Sequence, residues 1–195
     1  MINEDIKINL FEENEFITTG RIDSSYNYDK SSETTLDEEN ENLEIKNFKN
    51  LKLIKFISNY LLELIEENIK NKRVKFINDS FNGKNIYDIP IYDYINRIIS
   101  LSEIEENTII CSLIYMNKIN EIKPISKFNV HKLFFSSVLT SIKYNEDFIF
   151  SNIDYSKFGY LTLKEINRME FDFISLLEFN LYIKSEVFDL YKQNF

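Results

Sequence analysis

The sequence predicts an all-α fold, one helical bundle preceded by a further helix and an acidic tail, on three observations. Apolar residues recur at three- and four-residue steps in successive stretches, the period of one helix face. Only 3 Gly and 2 Pro occur in 195 residues, too few for the tight turns of a β protein. The chain is 44% hydrophobic and 15% aromatic, enough to bury one sizeable core without a second domain. The expected organisation is a disordered acidic tail over 1–45 and a helical domain over 46–195. Within that domain a leading helix spans 46–78, a connector 79–88 and the bundle 89–195.

Residues 1–44 are acidic, rich in Ser, Thr and Asn, and without a sustained apolar period, so they cannot bury enough surface to fold alone. From Ile45 to Asn78, Leu51, Ile54, Leu61, Leu62 and Ile65 outline an amphipathic helix, widened by Phe56, Ile57, Tyr60 and Leu64. Lys70, Lys72, Arg73 and Lys75 follow. Cations suit the negative end of a helix dipole, so the run reads as a helix terminus rather than a nuclear signal. Gly83 and its polar neighbours mark the connector.

Asp88 is a candidate N-cap with Pro90 in the first turn, ahead of a face made by Ile91, Tyr94, Ile95, Ile98 and Ile99. Ser102 and Glu105 stand in the S-x-x-E relation of a capping box before Ile109, Ile110, Leu113, Ile114 and Met116. A helix is therefore expected from near Glu103 to before Pro124. Asn129 is a candidate cap for Val130 to Tyr144. There Val130, Leu133, Phe134, Phe135, Val138, Leu139 and Ile142 exceed one narrow stripe, so burial on most sides is expected. Thr162 and Glu165 form a second capping box that fixes the start of Leu163 to Leu177, and Asn180 ends that segment. Ser185 to Phe195 reads as a short final helix with Val187, Phe188 and Tyr191 on its apolar side. Counted from Asp88, these are five helices with short connections.

Thirteen of the 32 acidic residues but only three of the 23 basic ones fall in the first 45 positions, leaving 20 bases against 19 acids in the domain. A neutral domain offers no clustered basic surface for nucleic-acid phosphates. Cys111 is the only cysteine, so no internal disulfide can form and an intracellular location is expected. Met1 to Leu10 lacks a basic start followed by an apolar run. Charges also interrupt every hydrophobic stretch short of the ~18 to 20 residues a membrane span requires. Cys111 on an apolar face reads as a buried, inert thiol, and His131, with no Cys or Asp at ligand spacing, as structural. No nucleophile with a base, phosphate-cradling Gly loop or metal cluster is apparent, so neither catalysis nor a cofactor is expected.

Two charges stand beside apolar stripes: Lys143 at the end of Val130 to Tyr144, and Glu170 in the middle of Leu163 to Leu177. That pairing is where function is expected.

Four segments carry a family resemblance by their order and spacing. They are IYDYINRI (Ile91 to Ile98), SLIYMNKI (Ser112 to Ile119), FNVHKLFFSSVLTSIKYNED (Phe128 to Asp147) and FGYLTLKEINRMEFDFISLLEFNLYI (Phe158 to Ile183). They resemble the cyclin box, in particular the small single-box cyclins of the fungal phosphate-response and plant U-type or P-type group. The resemblance covers roughly Ile86 to Tyr191, and LIKFISNYLLELIEENI (Leu53 to Ile69) resembles the helix that leads into the box. It implies a five-helix cyclin-box bundle around a central third helix, here Val130 to Tyr144. It also implies a regulatory subunit that binds and activates a cyclin-dependent serine/threonine protein kinase by positioning the kinase's regulatory helix.

By the same resemblance, Lys143 and Glu170 form the polar pair facing the kinase, Tyr144 is an aromatic contact, and Ile174, Phe179 and Leu181 supply apolar contacts. Arg97 would form a structural tie to the position of Asn117, where the family commonly has an aspartate. An Arg–Asn bond is weaker than a charge-assisted pair. Asn96, Ser100 and Glu103, which flank Arg97, do not form the apolar patch with which cell-cycle cyclins dock substrates. Taken singly, Lys143 suits a helix C-terminus and Glu170 a solvated face beside Arg168 or Asp172; as a pair at matching positions they suit a specific interface.

Two other readings stand beside this one. Asp154 to Glu165 has the outline of an EF-hand loop, with Gly159 at position six and Glu165 at twelve, but Phe158 at position five cannot supply an oxygen. Calcium binding there would be weak. A helical scaffold without a kinase partner is the third reading.

Overall fold

The computed structural model describes the backbone of residues 33–75, 77–83 and 87–194, and side chains from residue 51 onward. The chain divides into two units, Met1–Asn40 and Glu41–Phe195. Of the first, only residues 33–40 are described, and they are helical. The described residues form seven helices and no strand. They are α1 (Glu33–Lys70), α2 (Ile91–Ser102), α3 (Glu106–Ile122), α4 (Val130–Asn145), α5 (Asn152–Phe158), α6 (Leu163–Leu176) and α7 (Ser185–Lys192). None is long and apolar enough to cross a membrane.

The leading helix differs from the expected 46–78. It is helical from Glu33, within the stretch expected to be disordered, and ends at Lys70; residues 1–32 of the expected tail lie outside the described residues. Lys72 adopts a left-handed conformation, which closes the helix by letting the Arg73 amide donate to Asn68 O. The end is also tied laterally. The buried Asn68 amide donates to Asn120 Oδ1 at 2.7 Å and Ile125 O at 3.0 Å, while Arg73 donates to Asn120 O at 2.8 Å. The basic run thus places a guanidinium at the C-terminal carbonyls of α3, rather than only serving α1.

The apolar face expected for α2 is the one buried, Ile91, Tyr94, Ile95, Ile98 and Ile99, but its start is not the expected one. Pro90 is the N-cap, without a side-chain bond, and its carbonyl accepts the Tyr94 amide at 3.0 Å, so Asp88 is not the cap of α2. The expected Ser102–Glu105 box is also absent. Ser102 is the last residue of α2, its Oγ buried without a protein partner, and the Glu105 amide donates to Glu146 Oε1 at 3.0 Å. Glu103 takes a left-handed conformation, and that corner ends α2 before a box can form. Asn129 is the N-cap of α4, as expected, and its carbonyl accepts the Leu133 amide at 2.9 Å, but its side chain makes no capping bond: it closes the preceding loop, accepting from Ser126 N at 2.8 Å and donating to Pro124 O. The Thr162–Glu165 box forms in full at the start of α6.

The helix α4 is the core element. His131 and every residue from Leu133 to Ile142 are buried, as a helix apolar around most of its circumference must be. It packs against α2, α3 and α6. Small hydroxyls on it bond back to their own helix, Ser136 to Lys132 O and Ser137 to Phe134 O, both at 2.8 Å. His131 is structural: its ring stacks on Tyr87 at 4.7 Å and its Nε2 lies 2.9 Å from Ile89 O. Burial lowers its pKa, partly offset by that carbonyl. Cys111 is buried on α3, and burial raises its pKa, which disfavours the thiolate.

The tie expected between Arg97 and Asn117 does not form; each serves a different joint. Arg97 donates Nε to Phe158 O at 3.0 Å and Nη2 to Lys157 O at 3.1 Å, and lies 4.2 Å from the Tyr160 ring centroid. It therefore caps the C-terminus of α5, a seven-residue helix too short to register as a period. Asn117 donates to Tyr191 Oη at 2.7 Å and accepts from Tyr60 Oη at 3.1 Å, linking α1, α3 and α7.

Gly159, after α5, has no room for a side chain. A Cβ there would lie 2.7 Å from Phe135 Cε2 and 2.8 Å from Phe135 Cδ2, and Phe135 is locked in the core of α4. Gly159→Ala should therefore lower the unfolding free energy by roughly 1–3 kcal/mol, read as an earlier urea midpoint. An unchanged midpoint would contradict this packing.

Candidate functional site

The exposed residues of α4 lie in its last turn, which carries Lys143 and Tyr144. Lys143 Nζ donates to Glu170 Oε1 at 2.7 Å and to Oε2 at 2.8 Å, joining the end of α4 to the middle of α6. Lys143 and Glu170 keep 26% and 20% of their side-chain surface accessible, so the pair is partly withdrawn from water yet open on one side. Glu170 has a further donor, the Nδ2 of Asn152 at 3.1 Å, and the same Nδ2 lies 2.8 Å from Asn167 Oδ1.

Apolar side chains are exposed on the elements that carry this pair. Tyr144 is exposed, and Phe179 leaves 66% of its surface free. Ile174 and Leu181 are half-buried, and Leu181 packs its inner side on the core. Phe171, Tyr182, Ile149, Ile153 and Phe148, the last 81% exposed, were not anticipated. Phe171 could have been noticed, since it interrupts the polar side of an otherwise regular α6. Phe148 and Ile149 lie in a loop and have no period to reveal them.

The corner after α6 fixes how Phe179 is presented. Glu178 and Phe179 are consecutive left-handed residues with φ of 53° and 59°. Such conformations are costly for residues with side chains and persist where the surroundings enforce them. Here the Phe179 amide donates to Ile174 O at 2.9 Å, and the ring meets Phe171 edge-on at a centroid distance of 6.4 Å. The segment that follows is held from below, since Tyr115 Oη donates to Leu181 O at 2.6 Å and Lys118 Nζ to Tyr182 O at 3.3 Å.

The EF-hand alternative does not fit this geometry. Residues 152–158 are helical, and the two terminal carboxylates of the candidate loop serve separate joints. Asp154 Oδ2 accepts from Ser151 Oγ at 2.6 Å, and Glu165 Oε2 accepts from the Thr162 amide at 2.9 Å. The Thr162 amide bond, with help from the Thr162 hydroxyl and Lys132, lowers the Glu165 pKa and keeps it a capping carboxylate. Among the described residues no group of three or more His, Cys, Asp or Glu could hold a metal ion.

The helical order, the buried α4 and the leading α1 define a single bundle of the cyclin-box type. A family model described as Cyclin matches residues 23–181, beginning well upstream of the motifs read from the sequence. The chain belongs to the cyclin family. It is 30% identical over 146 residues to Cyclin-U4-1 of Arabidopsis thaliana, covering 72% of each chain. It is 28% identical over 145 residues to Cyclin-P3-1 of Oryza sativa subsp. japonica, covering 72% of this chain and 61% of that one. Over 178 residues it is 27% identical to the PHO85 cyclin-like protein psl1 of Schizosaccharomyces pombe, covering 83% and 73%.

Glu178→Gly should relieve backbone strain without touching the apolar surface. A net stabilisation of roughly 1 kcal/mol is expected, once the greater chain entropy of Gly is subtracted. Calorimetry should show a higher Tm; a lower one would mean that Glu178 makes an energetically favourable contact at the corner.

Proposed function

We propose that this protein is the regulatory subunit of a cyclin-dependent protein kinase and docks the kinase's small lobe on the surface formed by α4, α6 and the corner after α6. The observation that carries this reading is the Lys143–Glu170 pair, held by both carboxylate oxygens and flanked in sequence by exposed Tyr144 and Phe171. A surface pair of this kind is worth little to stability, whereas a desolvated pair fixes register and partner choice. The names of the relatives support the same class of partner, psl1 being named a PHO85 cyclin-like protein.

In the complex, the kinase's regulatory helix lies along the junction of α4 and α6. Phe179, Leu181 and Ile174 supply apolar area, and burying the exposed part of Phe179 contributes roughly 1–2 kcal/mol. Lys143 donates to, and Glu170 accepts from, polar groups of that helix. Binding favours the inward position of the helix, in which its glutamate pairs with the ATP-orienting lysine and completes the phosphoryl-transfer site. The cyclin itself performs no chemistry, and it works inside the cell, where its kinase is.

Affinity purification of the full chain, followed by identification of the associated kinase, tests this directly. Lys143→Glu places two carboxylates together at the interface and should cost ~2 to 5 kcal/mol of affinity, tenfold or much more, with helical content retained. Glu170→Arg should behave alike. Recovery of no kinase, or undiminished binding and activation by both variants, would overturn the reading.

A further inference from the structure

The acidic partner of the Lys143–Glu170 pair is not free to choose its orientation. Its Oε2 is shared between Lys143 Nζ at 2.8 Å and Asn152 Nδ2 at 3.1 Å. A carboxylate only accepts hydrogen bonds, so Asn152 must turn its amide nitrogen, not its oxygen, toward Glu170. That nitrogen is also 2.8 Å from the Asn167 side chain, which must therefore answer with its Oδ1. One carboxylate thus sets two amides, of which Asn152 alone touches it.

The placement follows from the helices. Asn167 and Glu170 are one turn apart on α6 and face the same way, and Asn152 is the first residue of α5, whose cap Ser151 accepts from the Asp154 amide. Lys143 alone would let the Glu170 carboxylate swing about its own flexible stem. The rigid start of α5 supplies a donor on a short side chain with two torsions, and so fixes the plane of the carboxylate and, through it, the position of the ammonium.

We propose that Asn152 is a positioning residue for the kinase-facing pair, orienting Glu170 so that Lys143 presents its remaining N–H to the partner. This rests on the docking reading given above. An aspartate of the same shape could not do it, because it would oppose Glu170 and compete for Lys143. A purely structural staple between α5 and α6 would need only Asn167.

A double-mutant cycle on the full chain separates these roles. Asn152→Ala should weaken kinase binding on the order of three- to tenfold, mainly through faster dissociation, and the near-isosteric Asn152→Asp by at least as much. In a Glu170→Gln background, Asn152→Ala should change affinity by less than about twofold, because the group it positions has lost its charge. Asn167→Ala should leave affinity close to that of the parent. The same fold-loss in both backgrounds, or parent-like binding by Asn152→Asp, would overturn the proposal. The free protein gives a readout that needs no partner: NMR of the Lys143 ammonium should show an ordered Nζ in the parent and a disordered one in Asn152→Ala. An ordered Nζ in both would sink the positioning role even if a kinase is captured. Conversely, a parent chain that captures none but shows the NMR difference leaves Asn152 as the positioner of the pair and removes the docking reading.

Discussion

Burial of α4 is the constraint on which the rest depends. With His131 and the run from Leu133 to Ile142 enclosed, each side of this helix needs a covering layer, and α2, α3 and α6 supply it. A helix enclosed in this way has only its ends to offer to a partner. Its N-terminal end is occupied by the connector, through the His131–Tyr87 stack and the Ile89 carbonyl. Its C-terminal turn is left, and there the chain places a lysine and an exposed tyrosine.

The surface at that turn is assembled from parts that are separately held. Lys143 comes from α4 and Glu170 from α6; the start of α5 adds Asn152, and Tyr115 on α3 holds Leu181 from beneath. Few of these joints are hydrophobic. They are hydrogen bonds to charged groups or to backbone carbonyls, which fix geometry more than they add net stability. The left-handed corner at Glu178 and Phe179 points the same way, since conformational energy is stored where an aromatic ring is displayed rather than buried. A bundle optimised only for stability would place a glycine there and turn the ring inward.

The helical faces were legible in the sequence because periodicity reports burial directly. The buried sides of α2 and α4 are the ones their spacing indicates, and the Thr162–Glu165 box forms because both members flank a helix start that nothing else perturbs. The Ser102–Glu105 box has the same local pattern but fails, since the left-handed Glu103 ends the preceding helix within it. Local patterns cannot report which of two overlapping elements wins. Side-chain partners across the fold were less legible still. Arg97 and Asn117 each form strong ties, but to α5 and to Tyr60 and Tyr191, joints that depend on a short helix without a period and on a C-terminal helix whose packing no spacing reveals. The prominence of Lys143 and Glu170 came from family order, not from spacing; Asn152, a polar residue at a loop end, carries no signal until its distance to Glu170 is seen.

The central claim is that the partner seats on the exposed end of α4 and the adjoining side of α6. Hydrogen–deuterium exchange of the full chain, alone and bound to the kinase it captures, tests this most directly. Slowed exchange should concentrate in residues 143–153 and 170–183 and leave the amides of α2 unaffected. Protection confined to α2, with those two segments exchanging as in the free chain, would contradict it.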